Sequence, residues 1–145
     1  MSSHPPIYNI LLIDDEIEEM DVLRRVVSAL TDAPIGIDHV FKCSEAVRKL
    51  HMCDYDLVLL DNRLSGQISA EFSAPFITST PSRATFAIIS NDVDVPYLRD
   101  ASLLGADHVV DKANLIAFLR DQVERNIVTH LHPTKTFSRR TAAPN

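Results

Sequence analysis

Leu57 to Leu60, inside the stretch YDLVLLDNRL, are four consecutive apolar residues closed abruptly by the acid Asp61. A strand with one wet face alternates apolar and polar side chains. A strand that is apolar at every position fits a parallel sheet covered by helices on both faces. Tyr8–Ile13, Gly36–Phe41, Thr85–Ile89 and His108–Val110 read as further strands, several of them with the same consecutive pattern.

Between these runs the apolar residues return at three- and four-residue steps. Ile17, Met20, Leu23, Val27 and Leu30 form one stripe, with Glu18, Glu19, Arg24 and Arg25 facing outward. Val47 and Leu50 mark a second, shorter helix that Ser44 helps to start. Leu98, Ala101 and Leu104 mark a fourth, where Pro96 is tolerated because the first turn needs no amide donor. Ile116, Leu119, Val123 and Ile127 mark a fifth, with Asn114 as its N-cap. In the third crossover Pro75 predicts a long loop to about Ser73 and a short helix beginning near the proline. With right-handed crossovers this alternation predicts an α/β fold, an open five-stranded parallel sheet with helices on both faces.

A chain of 145 residues, 46% of them hydrophobic, suits one domain with one core. The expected division is a flexible N-terminus over 1–6, a folded domain over 7–128 and a disordered tail over 129–145, which carries no periodicity. A net charge of −6 argues against nucleic acid and anionic membranes as partners. The apolar runs fall short of the roughly 20 residues of a membrane span. MSSHPP lacks the basic and apolar segments of a signal peptide, so a cytoplasmic location is expected. Cys43 and Cys53 then read as thiols that fill space.

In an open parallel sheet, residues just past the carboxyl ends of the strands converge on one crevice. Those positions are Asp14 and Asp15, Asp61, Ser90, and Asp111 with Lys112. Three crowded carboxylates raise each other's pKa unless a cation answers them. Mg²⁺ suits oxygen ligands and keeps waters that a phosphate can replace. Asp61 could then attack phosphorus and form an aspartyl phosphate, with Lys112 and Ser90 balancing the phosphoryl charge.

Plainer readings exist for each residue. Asp14 and Asp15 could cap the first helix, Lys112 could be a solvated surface charge and Ser90 a loop hydroxyl. Only their joint placement argues for a site. His108 reads as a polar residue near a strand end, and His130 and His132 as a weak metal hint. Arg63 is either idle or a modifier of acyl-phosphate hydrolysis. The tail charges Lys135, Arg139 and Arg140 read as solvated, or as a contact for an acidic partner.

LLIDDE, LVLLDNRL, FAIISND and GADHVVDK, four motifs in order with each at a strand end, resemble the receiver domain of two-component response regulators of the single-domain, chemotaxis type. The resemblance covers roughly residues 7 to 128, and the spacings of 47, 29 and 22 residues from Asp14 through Asp61 and Ser90 to Lys112 are similar to the family's. It implies the flavodoxin-like receiver fold and a phosphoprotein of a phosphorelay or other two-component signal transduction pathway. Asp61 would be the phosphoacceptor, taking its group from a phosphohistidine on a sensor histidine kinase or phosphotransfer protein. Asp14, Asp15, Asp61 and the Arg63 backbone carbonyl would hold Mg²⁺, Asp14 mainly through water. Lys112 would pair with the phosphoryl group. Ser90 would move toward it and alter binding of a downstream protein. The chain would be a signalling protein rather than an enzyme, with only self-phosphorylation and self-dephosphorylation chemistry.

Departures from the family pattern bear on switching. Val109 stands where a Tyr or Phe is usual, Asn91 where a small residue is usual, Ala113 where Pro follows the lysine, and Ser65 where Pro follows the acceptor. The alternative is a degenerate receiver that binds proteins without phosphorylation. A phosphatase of the haloacid dehalogenase type would need Asp-x-Asp, which Asp14, Asp15 and Glu16 do not form, and no P-loop stretch occurs in the sequence.

Overall fold

The structure, a computed structural model, describes residues 6, 8–64 and 68–131. Five strands form one sheet: β1 (Tyr8–Ile13), β2 (Ile35–Val40), β3 (Leu57–Asp61), β6 (Thr85–Ser90) and β7 (His108–Asp111). They lie in the order β2-β1-β3-β6-β7, and all four pairings are parallel. The predicted open α/β sheet is thus present, with the hydrophobic runs at its centre. A separate two-residue hairpin joins β4 (Arg63–Leu64) to β5 (Ile68–Ser69).

Successive residues of the central strands bury themselves in opposite layers. Leu11, Ile13, Val58, Leu60, Phe86 and Ile88 meet Ala46 and Leu50 of α2 (Cys43–Met52) and Ala74 and Ile77 of α3 (Ala70–Thr78). Ile10, Leu12, Leu57, Leu59, Ala87 and Ile89 meet Met20, Leu23 and Val27 of α1 (Ile17–Leu30) and Leu119 and Val123 of α4 (Leu115–Leu131). Each apolar strand therefore feeds two cores at once, which explains why its pattern is consecutive rather than alternating.

Several local expectations are corrected. α3 begins at Ala70 rather than near Pro75, because the Asn62 side chain accepts the Ala70 amide at 3.1 Å and secures the first turn. Pro75 sits inside the helix on its exposed side, denying a donor to the Glu71 carbonyl, and the helix stops three residues later. The segment around Leu98 forms two 3₁₀ turns, Pro96–Leu98 and Ala101–Leu104, instead of an α-helix. Asp100, in extended backbone between them, accepts hydrogen bonds from both the amide and the hydroxyl of Ser102, which competes with helix propagation. The second of these turns ends in Gly105 with φ +75°, where a Cβ would lie 2.6 Å from Thr78 Cγ2.

The caps differ too. Glu45, not Ser44, secures the start of α2 by accepting the Phe41 and Lys42 amides. Asp111, not Asn114, caps the turn leading into α4 by accepting the Ala113 amide. Ile17 and Ile116 are 61% and 52% exposed, since each lies at the first turn of its helix, beyond the sheet edge it was expected to cover. α4 continues to Leu131, three residues into the expected tail. The tail from 132 onward and residues 1–5 lie outside the described residues, as do Ser65 and His132.

Leu59 is fully buried in the central strand while Leu103 is 80% exposed. Leu59→Ala is expected to lower unfolding stability by about 2–5 kcal/mol and Leu103→Ala by less than about 0.5 kcal/mol, read from urea denaturation midpoints at constant slope.

Candidate functional site

β1 and β3 are neighbours at the middle of the sheet, and their carboxyl ends deliver the acids. Asp14 follows β1 directly and is fully buried, its amide donating to the Val40 carbonyl at 3.1 Å. Asp15 is half-buried, and Asp61, the last residue of β3, is 7% exposed. One carboxylate oxygen from each of the three lies within 4.8 Å of the others. Lys112, the first residue past β7, brings Nζ to 3.3 Å from Asp61 Oδ1. Residues separated by up to 98 positions therefore meet in one place, as the strand-end argument requires.

The electrostatics follow from that crowding. Burial pushes the Asp14 carboxyl up to about 7, opposed by the Glu16 amide that donates to Oδ1 at 2.9 Å and reinforced by Asp61. Burial also raises Asp61, against the pull of the Lys112 ammonium. For Lys112, burial acts downward, but the Asp61, Glu19 and Asp14 carboxylates outweigh it and hold the ammonium above its usual value. Asp14 Oδ2 is buried and has no hydrogen-bond partner among the described residues. A buried carboxylate oxygen without a donor costs free energy that a cation would recover. The donor set, all oxygen and clustered, suits a hard divalent ion such as Mg²⁺.

Asp15, Asp61 and Lys112 line a cavity of about 490 Å³ together with Glu16, Glu19, Asn62, Arg63, Leu64, Ser90, Asn91, Asp92 and Val95. Ser90, at the end of β6, reaches the cavity, yet its hydroxyl is engaged within its own loop. It donates to the Asp92 carbonyl at 2.9 Å and accepts the Asp92 amide at 3.1 Å. The Arg63 side chain is exposed, and its amide lies 3.5 Å from Asp61 Oδ1, at the long limit for a hydrogen bond. Asp111 serves as a cap, and His108 is exposed against the edge of Phe118.

Four contributors were not foreseen. Asn62, 3% exposed, accepts from both the Ala70 amide and the Tyr97 hydroxyl. His39, at the end of β2, donates from Nε2 to the Asp14 carbonyl at 2.7 Å and stacks on Phe41. Glu19 faces the cavity from α1. Adjacency to Asp61 in LLDNRL and the strand-end position of His39 were available as signals; nothing in the sequence indicated Tyr97.

Solved structures similar to this one are receiver domains. The response regulator TrrA of Thermotoga maritima, solved in complex with Mg²⁺ and BeF, is 26% identical over 82% of this chain and 98% of that one, with a TM-score of 0.65. The receiver domain of a sensor histidine kinase of Pseudomonas aeruginosa, with magnesium coordinated in its active-site cleft, is 20% identical over 83% and 97% of the two chains, with a TM-score of 0.67. A two-component response regulator of Clostridium difficile is 21% identical over 81% and 97%, with a TM-score of 0.66. No family model matches the sequence, and no curated protein matches it. The likeness is therefore one of fold.

The raised carboxyl of Asp14 gives a pH dependence with a definite sign. Between about pH 4 and pH 7 the folded chain holds a proton that the unfolded chain has lost, so stability falls as pH rises, by up to about 1.4 kcal/mol per pH unit for one proton. Without divalent cations, wild type should lose stability across that window relative to Asp14→Asn. Added Mg²⁺ should restore it at pH 8, a loss and recovery that thermal melts at stepped pH would record.

Proposed function

We propose that this receiver-fold chain is a phosphoacceptor of a two-component or phosphorelay pathway, taking a phosphoryl group onto Asp61. The observation that carries the reading is the Asp61 carboxylate held at the cavity wall between two further carboxylates and the Lys112 ammonium. A donor phosphohistidine, on a sensor histidine kinase or a phosphotransfer protein, would present its phosphorus to an Asp61 oxygen. The O–P bond forms as the N–P bond breaks, and the imidazole leaves with the electron pair. A magnesium ion held by Asp14, Asp15, Asp61 and the Arg63 carbonyl would supply the positive charge that neutralises the phosphoryl oxygens.

This chain's own residues do the rest. Lys112 already lies 3.3 Å from Asp61 Oδ1 and would turn from that oxygen to a phosphoryl oxygen without leaving the cavity. Ser90 would have to release the Asp92 carbonyl before its hydroxyl could donate to the new group, so modification is coupled to the 90s loop. The product is a changed affinity for a downstream protein, a population shift rather than turnover of an outside substrate. The chain acts as a cytoplasmic signalling protein and not as an enzyme. No helix among the described residues is long and apolar enough to cross a membrane.

The self-bonded hydroxyl of Ser90 and the small side chain of Val109 favour a second reading, in which the fold is a protein-binding module that needs no phosphorylation.

The two separate on labelling. With Mg²⁺ and a phosphohistidine donor, wild type should acquire one phosphoryl group that alkali and hydroxylamine remove, and Asp61→Asn should acquire none while keeping its circular dichroism spectrum. Lys112→Ala should still label but no longer change partner affinity. Equal labelling of wild type and Asp61→Asn would remove the acceptor assignment.

A further inference from the structure

The loop between Ser90 and Tyr97 is closed on itself at one end and tied at the other to the residue that follows Asp61. At one end the Ser90 hydroxyl is closed onto Asp92 in both directions, and Asp92 Oδ1 accepts the Asp94 amide at 3.0 Å. At the other, the Tyr97 hydroxyl donates to Asn62 Oδ1 at 2.9 Å, across 35 residues of sequence. Asn62 directly follows Asp61, is 3% exposed, and cannot easily follow a moving loop. Its amide donates to the Ile89 carbonyl at 2.8 Å, and its carboxamide oxygen also accepts the Ala70 amide. Val95, midway along the loop, lines the cavity. Val95, Tyr97 and Val109 pack against the same apolar cluster, and Tyr97 is the aromatic ring that this loop brings to it.

We infer that Tyr97 is a positioning residue whose hydroxyl latches the 90s loop in the resting state, and that the latch opens when Asp61 carries a phosphoryl group; this rests on the acceptor reading above. The two ends of the loop cannot be released independently. Turning the Ser90 hydroxyl toward Asp61 breaks its bond to Asp92 and draws the loop toward the cavity, which pulls Tyr97 away from a fixed Asn62. The Tyr97–Asn62 bond is therefore made in the resting arrangement and lost in the modified one, and it opposes the change. Removing the hydroxyl alone leaves the ring packed and leaves Asn62 Oδ1 with the Ala70 amide, so the resting state loses one neutral hydrogen bond and little else.

The test uses the full chain with Mg²⁺ and beryllofluoride as the phosphoryl mimic, followed by backbone and aromatic NMR. Tyr97→Phe should bind beryllofluoride about fivefold more tightly than wild type, the value of one ordinary hydrogen bond. In wild type the Tyr97 ring and Ala70 amide resonances should shift on saturation. In the free variant, the Asp92 and Asp94 amides should exchange faster than in wild type. Tighter binding is the opposite of what general damage to the fold would produce. Equal or weaker binding by Tyr97→Phe, with wild type saturating normally, overturns the latch and leaves the acceptor reading standing. If wild type itself gives no change around Asp61, the acceptor reading falls and the latch falls with it.

Discussion

Three carboxylates whose oxygens lie within 4.8 Å of one another repel, and the Lys112 ammonium beside Asp61 is the positive charge that the chain itself provides against them. One cation does not balance three anions. The balance shows in Asp14, whose carboxyl is raised to about 7 by burial and whose Oδ2 has no partner among the described residues. An arrangement this unfavourable persists because the backbone leaves it no choice. β1 and β3 are paired in register from Ile10 with Leu57 to Ile13 with Leu60, and each is buried on both faces. The hydrophobic sandwich holds the acids together, and their unmet charge makes the site receptive to a cation and, through it, to an anion.

The β6–β7 crossover carries two short 3₁₀ turns and a hydrogen-bonded loop where a regular helix would have been stiffer. Such a segment has few intrahelical bonds to lose, so rearranging it costs less than moving α1 or α4, whose buried faces are part of the core. The sheet holds Asp61 in place, and the crossover is the neighbouring segment that is less costly to rearrange. Val109 offers no ring on β7, and Tyr97 brings one to the same apolar cluster from the start of the crossover.

Where sequence reasoning erred, a side chain had taken over a backbone's hydrogen bond. Asn62 supplies the oxygen that starts α3 at Ala70, so Pro75 falls inside a helix that the proline alone argued against. Asp100 accepts from Ser102 and divides a stretch whose apolar spacing looked helical. Glu45 and Asp111 likewise displaced Ser44 and Asn114 as caps. Each partner lies where periodicity does not look, and Asn62 lies eight residues from the helix it caps. Ile17 and Ile116 kept the spacing of buried residues but lie at helix starts past the sheet, where no layer covers them.

The sequence by itself determined the five strands, the two-sided burial of the central ones and the polar residues that close them, because consecutive apolar runs with polar ends admit few other arrangements. Asp14, Asp15, Asp61, Ser90 and Lys112 could be named from that alone, since strand order in a parallel sheet sends every carboxyl end to one edge. Only the tertiary structure decided the distances between them, the orphaned oxygen of Asp14, the inward bond of Ser90 and the link from Tyr97 to Asn62. Those depend on which rotamer and which partner each side chain finds once the layers close, and pairings across 35 residues have no signature in local pattern.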